Sequence, residues 1–290
     1  MICYQPKRFA QKTLELIATA NTIISDYLSQ GYMLTLRQLY YQLVARDIIP
    51  NTQKEYKRVG SVFNDARLAG MMDWSAIEDR TRNLQTRASW DSPSDILEAS
   101  ASQFRLPIWN SQPCYVECWI EKEALAGVFQ SACHDQRVPF FSCRGYTSQS
   151  EMHSAAQRLK RKSRAGKQVV IIHFGDHDPS GIDMTRDIAE RLNLFGAKLD
   201  VKRLALNMDQ VEQYEPPPNP AKTTDSRYDG YIQSYGDESW ELDALEPSVL
   251  SDLVQSHVQQ LIDEDAWQDI IDQEEEAKQR LQEIADSWDD

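Results

Sequence analysis

The stretch QVVIIHFGDHDPSGIDM, Gln168 to Met184, decides how this chain is read. Its first half is a nearly continuous apolar run, the pattern of a strand buried on both faces of a sheet. The second half turns abruptly polar, and GIDMTRDIAERLNLF then reads as a helix. Strand, turn and helix in that order belong to a parallel α/β unit. Asp176 and Asp178 fall where the strand ends. Residues two apart in extended backbone point to one side, and the C-terminal edge of a parallel sheet is where such folds place their sites. Pro179 keeps Asp178 extended, and Gly181 permits a tight entry into the helix. Two neighbouring carboxylates with no obvious lysine partner repel each other unless a hard cation lies between them. Mg²⁺, with Mn²⁺ as a substitute, is the expected ion. The plain alternative is an Asp-rich turn in which Asp178 merely caps the helix.

Upstream of this stretch, CYVECWI is a short strand and KEALAGVFQSAC a helix. VPFFSC is a second strand, RGYTSQ a turn, and Ser150 to Arg164 a helix leading into the apolar run. Downstream, LDVKRLAL is a further strand, EPPPNPA a proline-rich loop, and two acidic helices follow, near Pro247–Asp263 and Asp265–Ser287. The expected fold class is α/β, with a Rossmann-like parallel sheet. Glu121 ends the first strand, so it can meet Asp176 and Asp178 at one sheet edge. There it would bind metal or transfer a proton. Glu117 is mid-strand and Glu123 lies one step into the helix, so both are less well placed. Lys122 is a candidate phosphate contact, and His177 is expected to be structural or solvent-facing.

The first part of the chain is helical. Phe9 to Gln30 ends at Gly31, Thr35 caps LRQLYYQLVARD, and Asn51 or Thr52 caps QKEYKRVGSVFNDARLA. Three helices with short connections suggest a helix-turn-helix or winged-helix module, with MMDWSAIEDRTR as the wing. In the third helix Tyr56, Val59, Phe63 and Ala66 recur at helical spacing and form a core face. Lys54, Lys57, Arg58, Ser61 and Asn64 take the other side, where cations suit phosphates and small polar groups suit base edges. Arg67, Arg80, Arg82 and Arg87 extend that basic character, although most charged helix faces are simply solvated. In the second helix Leu36, Leu39, Tyr40 and Leu43 form one stripe, and Tyr41 lies roughly 130° from its centre at about 100° per residue. Arg37 is one turn earlier on the same face as Tyr41. A phenol beside a guanidinium can attack a phosphodiester; a boundary tyrosine packed on a neighbouring domain would look the same. The expected layout is a winged-helix-like domain over 1–90, a linker over 91–112, the sheet domain over 113–246 and an acidic helical segment over 247–290.

Composition sets the outer bounds. The chain has 290 residues and a formal charge of −14. Residues 1–108 carry 13 basic against 11 acidic side chains, 109–206 carry 14 against 11, and 207–290 carry 4 against 23. The acidity therefore sits in the last segment, and screening over about 8–10 Å limits its reach. Basic faces elsewhere can still meet DNA. No apolar run approaches the length of a membrane span, and MICYQPKRFAQ has no apolar segment behind a basic start. Five cysteines without a CxxC pair give neither a disulfide framework nor a zinc site. The expected setting is the cytoplasm or nucleoid. The tail spaces Trp267, Ile270, Ile271, Leu281, Ile284 and Trp288 at helical intervals, which suits a helix packed on its own chain or on a partner.

WIEKEAL, RGYTSQS and GDHDPSGIDM resemble, in order, the Toprim motifs of the DNA-cleaving subunit of topoisomerase VI, a type IIB topoisomerase, and of its meiotic double-strand-break relatives. RQLYYQLV resembles that family's winged-helix segment, in which the second of two aromatics cleaves DNA, and WELDALEP (Trp240–Pro247) is similar to a Glu-containing segment after its sheet. The resemblance covers about 35 to 250. It implies that Tyr41 is the nucleophile, that Glu121, Asp176 and Asp178 hold Mg²⁺, that Arg37 clamps the scissile phosphate, and that Arg144 and Gly145 approach the backbone of double-stranded DNA. It further implies a homodimer in which the tyrosine of one chain meets the metal of the other. Ser180 stands where the family usually has an aromatic, the tail is unlike the family's, and no Gly-rich ATP loop is present, so strand passage would need a separate ATPase subunit. A hydrolytic Toprim nuclease, with water in place of Tyr41, is one alternative. A non-catalytic DNA-binding regulator with vestigial carboxylates is another.

Overall fold

The computed structural model describes residues 1–77 and 87–288. Arg80 and Arg82, read as part of the wing, lie outside the described residues. Four strands form a parallel sheet: β1 (Cys114–Ile120), β2 (Phe140–Ser142), β3 (Gln168–Phe174) and β4 (Asp200–Ala205), in the order β2-β1-β3-β4. β1 is buried along its whole length and β3 at all but its first residue, as their unbroken apolar sequences require. Ile120 pairs with Phe174 on one side and Ser142 on the other. The chain therefore leaves β1, β2 and β3 at one level, and Glu121 and Gly175 begin side by side. From β1 the chain moves to β2 in one direction, and from β3 to β4 in the other. The gap between β1 and β3 is thus the topological switch point, where open α/β sheets bind their ligands.

Helix α5 (Ala126–His134) follows β1 and packs against α10 (Pro247–Gln259). Helix α6 (Gln149–Arg164) packs against α7 (Pro179–Leu194), and both also contact the sheet. Right-handed crossovers put α5 on one face and α6 and α7 on the other. Trp119, Phe129 and Phe174 are fully buried in this core, the last two with ring centroids 4.6 Å apart. The mixed α/β class is as expected. The 206–246 stretch holds more order than a proline-rich loop implies. It forms helix α8 (Met208–Tyr214) and helix α9 (Tyr228–Tyr235), plus a two-stranded ribbon of β5 (Asn219–Pro220) and β6 (Glu238–Ser239).

The helical part has its own core. Helix α1 (Gln11–Ser29), helix α2 (Leu36–Ala45) and helix α3 (Gln53–Leu68) bury Ile17, Leu39, Leu43, Val59 and Phe63 together. Thr35 and Gln38 close a capping box at the start of α2. Thr52 caps α3, with Val59, Phe63 and Ala66 on its buried face. One residue of α2 departs from the expected amphipathic split: Tyr40 is buried with its stripe, but Tyr41 is buried too, because the second face of α2 lies on the 242–244 turn.

The 91–112 stretch expected as a linker contains helix α4 (Pro93–Gln103), opened by a Ser92–Asp95 capping box with proline at the first helical position. It packs against α11 (Glu264–Asp286). Glu274 of α11 is buried at that junction. It accepts from the Leu106 amide at 2.7 Å and from both terminal nitrogens of Arg137 at 2.6 and 3.0 Å, with Lys278 also paired to it. Trp267, Ile270 and Ile271 pack on the main core. The acidic tail helix is therefore held on its own chain. Ile284 and Trp288, near its end, are exposed.

Candidate functional site

The turn after β3 is fixed from three sides. Arg203, on β4, donates to the carbonyls of Gly175 and Asp176 at 3.0 and 2.6 Å and to that of Gly181 at 2.9 Å. Gly181 is required here by close approach, since a Cβ would come 2.2 Å from the Asp176 carbonyl oxygen. His177 forms an isolated antiparallel bridge with Trp240, its amide and carbonyl exchanging bonds of 2.8 and 2.9 Å with that residue. The His177 ring is buried against Tyr231, Tyr235 and Trp240, and its Nδ1 lies 2.8 Å from the Tyr231 hydroxyl. It is structural, not solvent-facing, and burial pushes its pKa down to about 4.

That bridge brings residues 241–243 onto the end of β3. The Leu242 amide donates to Asp176 Oδ1 at 2.8 Å. One oxygen from each of Asp176, Glu241 and Asp243 lies within 4.8 Å of the others. Asp176 and Asp243 are buried and Glu241 is half-buried. Three hard oxygen donors at this spacing can hold a metal ion.

The cluster already contains a cation. Lys122 Nζ lies 2.8 Å from Asp176 and 3.2 Å from Asp243, and it also pairs with Glu241. The expectation of carboxylates without a lysine partner is thus corrected: the lysine comes from the end of β1, one residue after Glu121. Arg37, on α2, closes the other side, 2.8 Å from both Glu241 and Asp243. Burial pushes the Asp176 carboxyl well above its ordinary value, and Glu121, Glu241 and Asp243 add to this against the opposing charge of Lys122. Burial also acts to raise Glu241, but Lys122 and Arg37 hold it below its ordinary value. Burial opposes the charge on Lys122, yet the three acids hold its pKa above normal.

The other two expected ligands lie beside this cluster and not in it. Glu121 is buried and accepts the Asp176 amide at 2.8 Å. Burial pushes its carboxyl up, and Asp178 adds to the effect. Asp178 caps α7, accepting from the Gly181 amide at 2.6 Å and the Ser180 hydroxyl at 2.9 Å, with Lys222 at 3.6 Å. Of the competing acids, Glu117 is bound by Arg158 at 2.8 and 2.9 Å, and Glu123 by Arg144 at 2.6 and 2.9 Å. Glu121 alone of the three sits against the turn after β3.

A cleft of about 620 Å³ opens over this edge, lined by Asp176, Asp178 and Glu241 and, across from them, by Arg37 and Tyr41. Within one chain the tyrosine and the acids already share one space; the resemblance implied that they meet across two chains. Tyr41 is not on an open face: its ring is buried, stacked 5.7 Å from the Arg37 guanidinium, with Asn219 donating to its hydroxyl at 3.5 Å. Its pKa is pushed up to about 12, by burial first and then by Glu241 and Asp243, with Arg37 opposing. The arginine's pull toward the phenolate is therefore outweighed by burial and the two acids.

Among the expected DNA contacts, Lys54, Lys57, Arg58 and Asn64 are exposed on α3, together with Ser61. Arg58 is paired with Glu55 at 2.6 Å. Arg67 is half-buried, donating to the Ile77 carbonyl at 2.8 Å and lying 5.7 Å over the Trp74 ring, which gives it a folding role in this chain. Arg144 adopts a left-handed backbone at φ 54° and is committed to Glu123. Sequence reading misses Glu241 and Asp243 as site residues, although WELDALEP contains both. It also misses Arg203, an arginine in an otherwise ordinary edge strand. Comparison with family models, with characterised proteins and with solved structures gives no match for this chain.

Proposed function

We propose that this chain is a metal-dependent DNA-cleaving protein resembling the cleaving subunit of topoisomerase VI, in which Tyr41 attacks a backbone phosphate. The observation that carries this reading is the single cleft that Tyr41 and Arg37 share with Asp176, Asp178 and Glu241. A hydroxyl nucleophile, a guanidinium and oxygen donors suited to a hard cation are the parts that phosphoryl transfer needs. The Tyr41 oxygen would form an ester to phosphorus as the bond to one sugar oxygen breaks, leaving a protein-linked end and a free hydroxyl. Arg37, half-exposed, would hold the phosphate with the one terminal nitrogen that its acid partners leave open. Asp176, Glu241 and Asp243 would hold Mg²⁺ or Mn²⁺. When bound, such an ion supplies a Lewis acid for the phosphate and neutralises the acids that add to the effect of burial in keeping Tyr41 protonated. The exposed lysines of α3 would follow the backbone of double-stranded DNA. A homodimer on one duplex would give two nicks, and ATP-driven strand passage would call for a separate ATPase subunit.

A second reading, a hydrolytic nuclease, is favoured by the high pKa of Tyr41. In that case water is the nucleophile and Tyr41 a wall of the cleft. The deciding experiment incubates supercoiled DNA with the protein and Mg²⁺ or Mn²⁺, stops with detergent, and extracts with and without protease. Metal-dependent breaks that enter the aqueous phase only after protease, and that vanish in Asp176→Ala, are expected. Breaks with free ends in the absence of protease would establish the hydrolytic reading, and no breaks with any metal would overturn both.

A further inference from the structure

We propose that Lys122 is an exchangeable internal counter-ion, which holds the acid cluster together when metal is absent and which the arriving metal displaces into the cleft. This rests on the metal-dependent reading above. Three carboxylates, two of them buried, cannot stay ionised together within 4.8 Å without a positive partner. Lys122 supplies that partner, reaching all three. Its ammonium contacts the same three carboxylates that would ligate the ion, so the two cations compete for one place. Arg37 does not compete in the same way: it contacts Glu241 and Asp243 from the α2 side and has no ion pair with Asp176 among the described residues.

Lys122 is also built to move. It sits in the short segment between β1 and α5, its side chain is a flexible four-carbon stem carrying a compact charge, and its contacts to the acids are ion pairs from one terminal nitrogen. Displaced by metal, that nitrogen would move toward the cleft that its partners Asp176 and Glu241 line. The exchange therefore converts a cation that neutralises the protein's own acids into one available to a phosphate. Metal-free protein would keep its acids sealed, and affinity for metal would be set by how firmly Lys122 is held.

The test measures Mn²⁺ binding to the full chain by calorimetry and by the melting temperature, with supercoiled-DNA cleavage followed alongside. Lys122→Met and Lys122→Gln both remove the charge, so that a folding failure of one leaves the other. In chelator, each is expected to melt below the wild type, because the acids lose their counter-ion. Mn²⁺ should then raise the melting temperature of each variant by more than it raises that of the wild type. Mn²⁺ should also bind each variant about tenfold more tightly, the scale of one close charge contact in a partly screened site. Lys122→Arg, which keeps the charge, should bind Mn²⁺ about as the wild type does. If the wild type binds Mn²⁺ and the neutral variants bind it no more tightly, the exchange is wrong while metal-dependent cleavage stands. If none of the proteins binds Mn²⁺, both this inference and the metal-dependent reading fall.

Discussion

Replacing Tyr41 by Phe should separate activity from stability. The hydroxyl receives one hydrogen bond among the described residues, from Asn219 at 3.5 Å, at the outer limit of such contacts. Losing it should cost less than about 1 kcal/mol, a melting shift within about 3 °C for a chain of this size. The ring contacts remain: the edge packing on Tyr40 at 5.3 Å and the Arg37 guanidinium at 5.7 Å do not involve the oxygen. Chemistry should respond very differently. With the phenol at about 12, only about one molecule in 10⁵ carries a phenolate at pH 7. If attack requires that species, cleavage at subsaturating metal should rise about tenfold per pH unit below that value. Saturating metal, by neutralising Glu241 and Asp243, should move the profile to lower pH without changing its slope, because burial, the larger cause, remains. The assay is thermal melting of both proteins, with protein-linked breaks counted from pH 6 to about 9 at two metal concentrations. Protein-linked breaks that persist in Tyr41→Phe would refute the nucleophile. A melting loss of many degrees would refute the structural premise that the hydroxyl bears little load.

The remaining expectations concern the fold and the DNA face. Glu274→Gln should destabilise the chain by about 3 kcal/mol in chemical denaturation, the low end for removing one partner of a buried ion pair, since solvent reaches Arg137 and Lys278; a loss below about 1 kcal/mol would mean that α11 is held by its apolar face alone. His173 is buried with its pKa pushed down to about 3, by desolvation first and then by Arg203. It stays neutral in the fold and must charge on unfolding, so its contribution is intact above about pH 6.5 and lost as pH falls toward about 3. The loss amounts to about 2 kcal/mol by pH 5, and a pH-stability curve unchanged in His173→Gln would contradict this. Lys54→Ala with Lys57→Ala should reduce the slope of log DNA affinity against log salt by about 2, one unit for each phosphate no longer neutralised; an unchanged slope would take α3 off the DNA path.

Much of the sheet is legible in the sequence because burial on both faces writes an unmistakable local pattern. QVVIIHF and CYVECWI form β3 and β1, and Glu121 and Asp176 stand at their ends as strand termini should. The site is only half legible, because its other acids come from far along the chain. Glu241 and Asp243 lie on no hydrophobic period that points at Asp176, and a single bridge to His177 sets their position. Lys122 reads as a phosphate contact because a sequence does not display ion pairs between neighbouring loops. The supposed linker fails for a local reason: the Ser and Pro of DSPSD signal a loop, but Ser at a cap with Pro at the first helical position starts a helix equally well. Arg67 and Arg144 look like free cations in the sequence, and both are committed to this chain's own carbonyl and carboxylate groups.

The bridge between His177 and Trp240 also dictates when the centre can exist. It joins positions roughly sixty residues apart, and closing a loop of that length costs about 4 kcal/mol of chain entropy. Nothing local to WELDALEP offsets that cost; the ribbon, α9 and the Tyr231 cage around His177 must dock together to do so. The acids are therefore assembled cooperatively with the whole 206–246 segment, not residue by residue. A chain still emerging from synthesis, or one opened at this segment, has Asp176 on a finished strand and no centre around it. Amide exchange at Leu242 and Trp240 would report that opening directly, as a unit separate from the sheet.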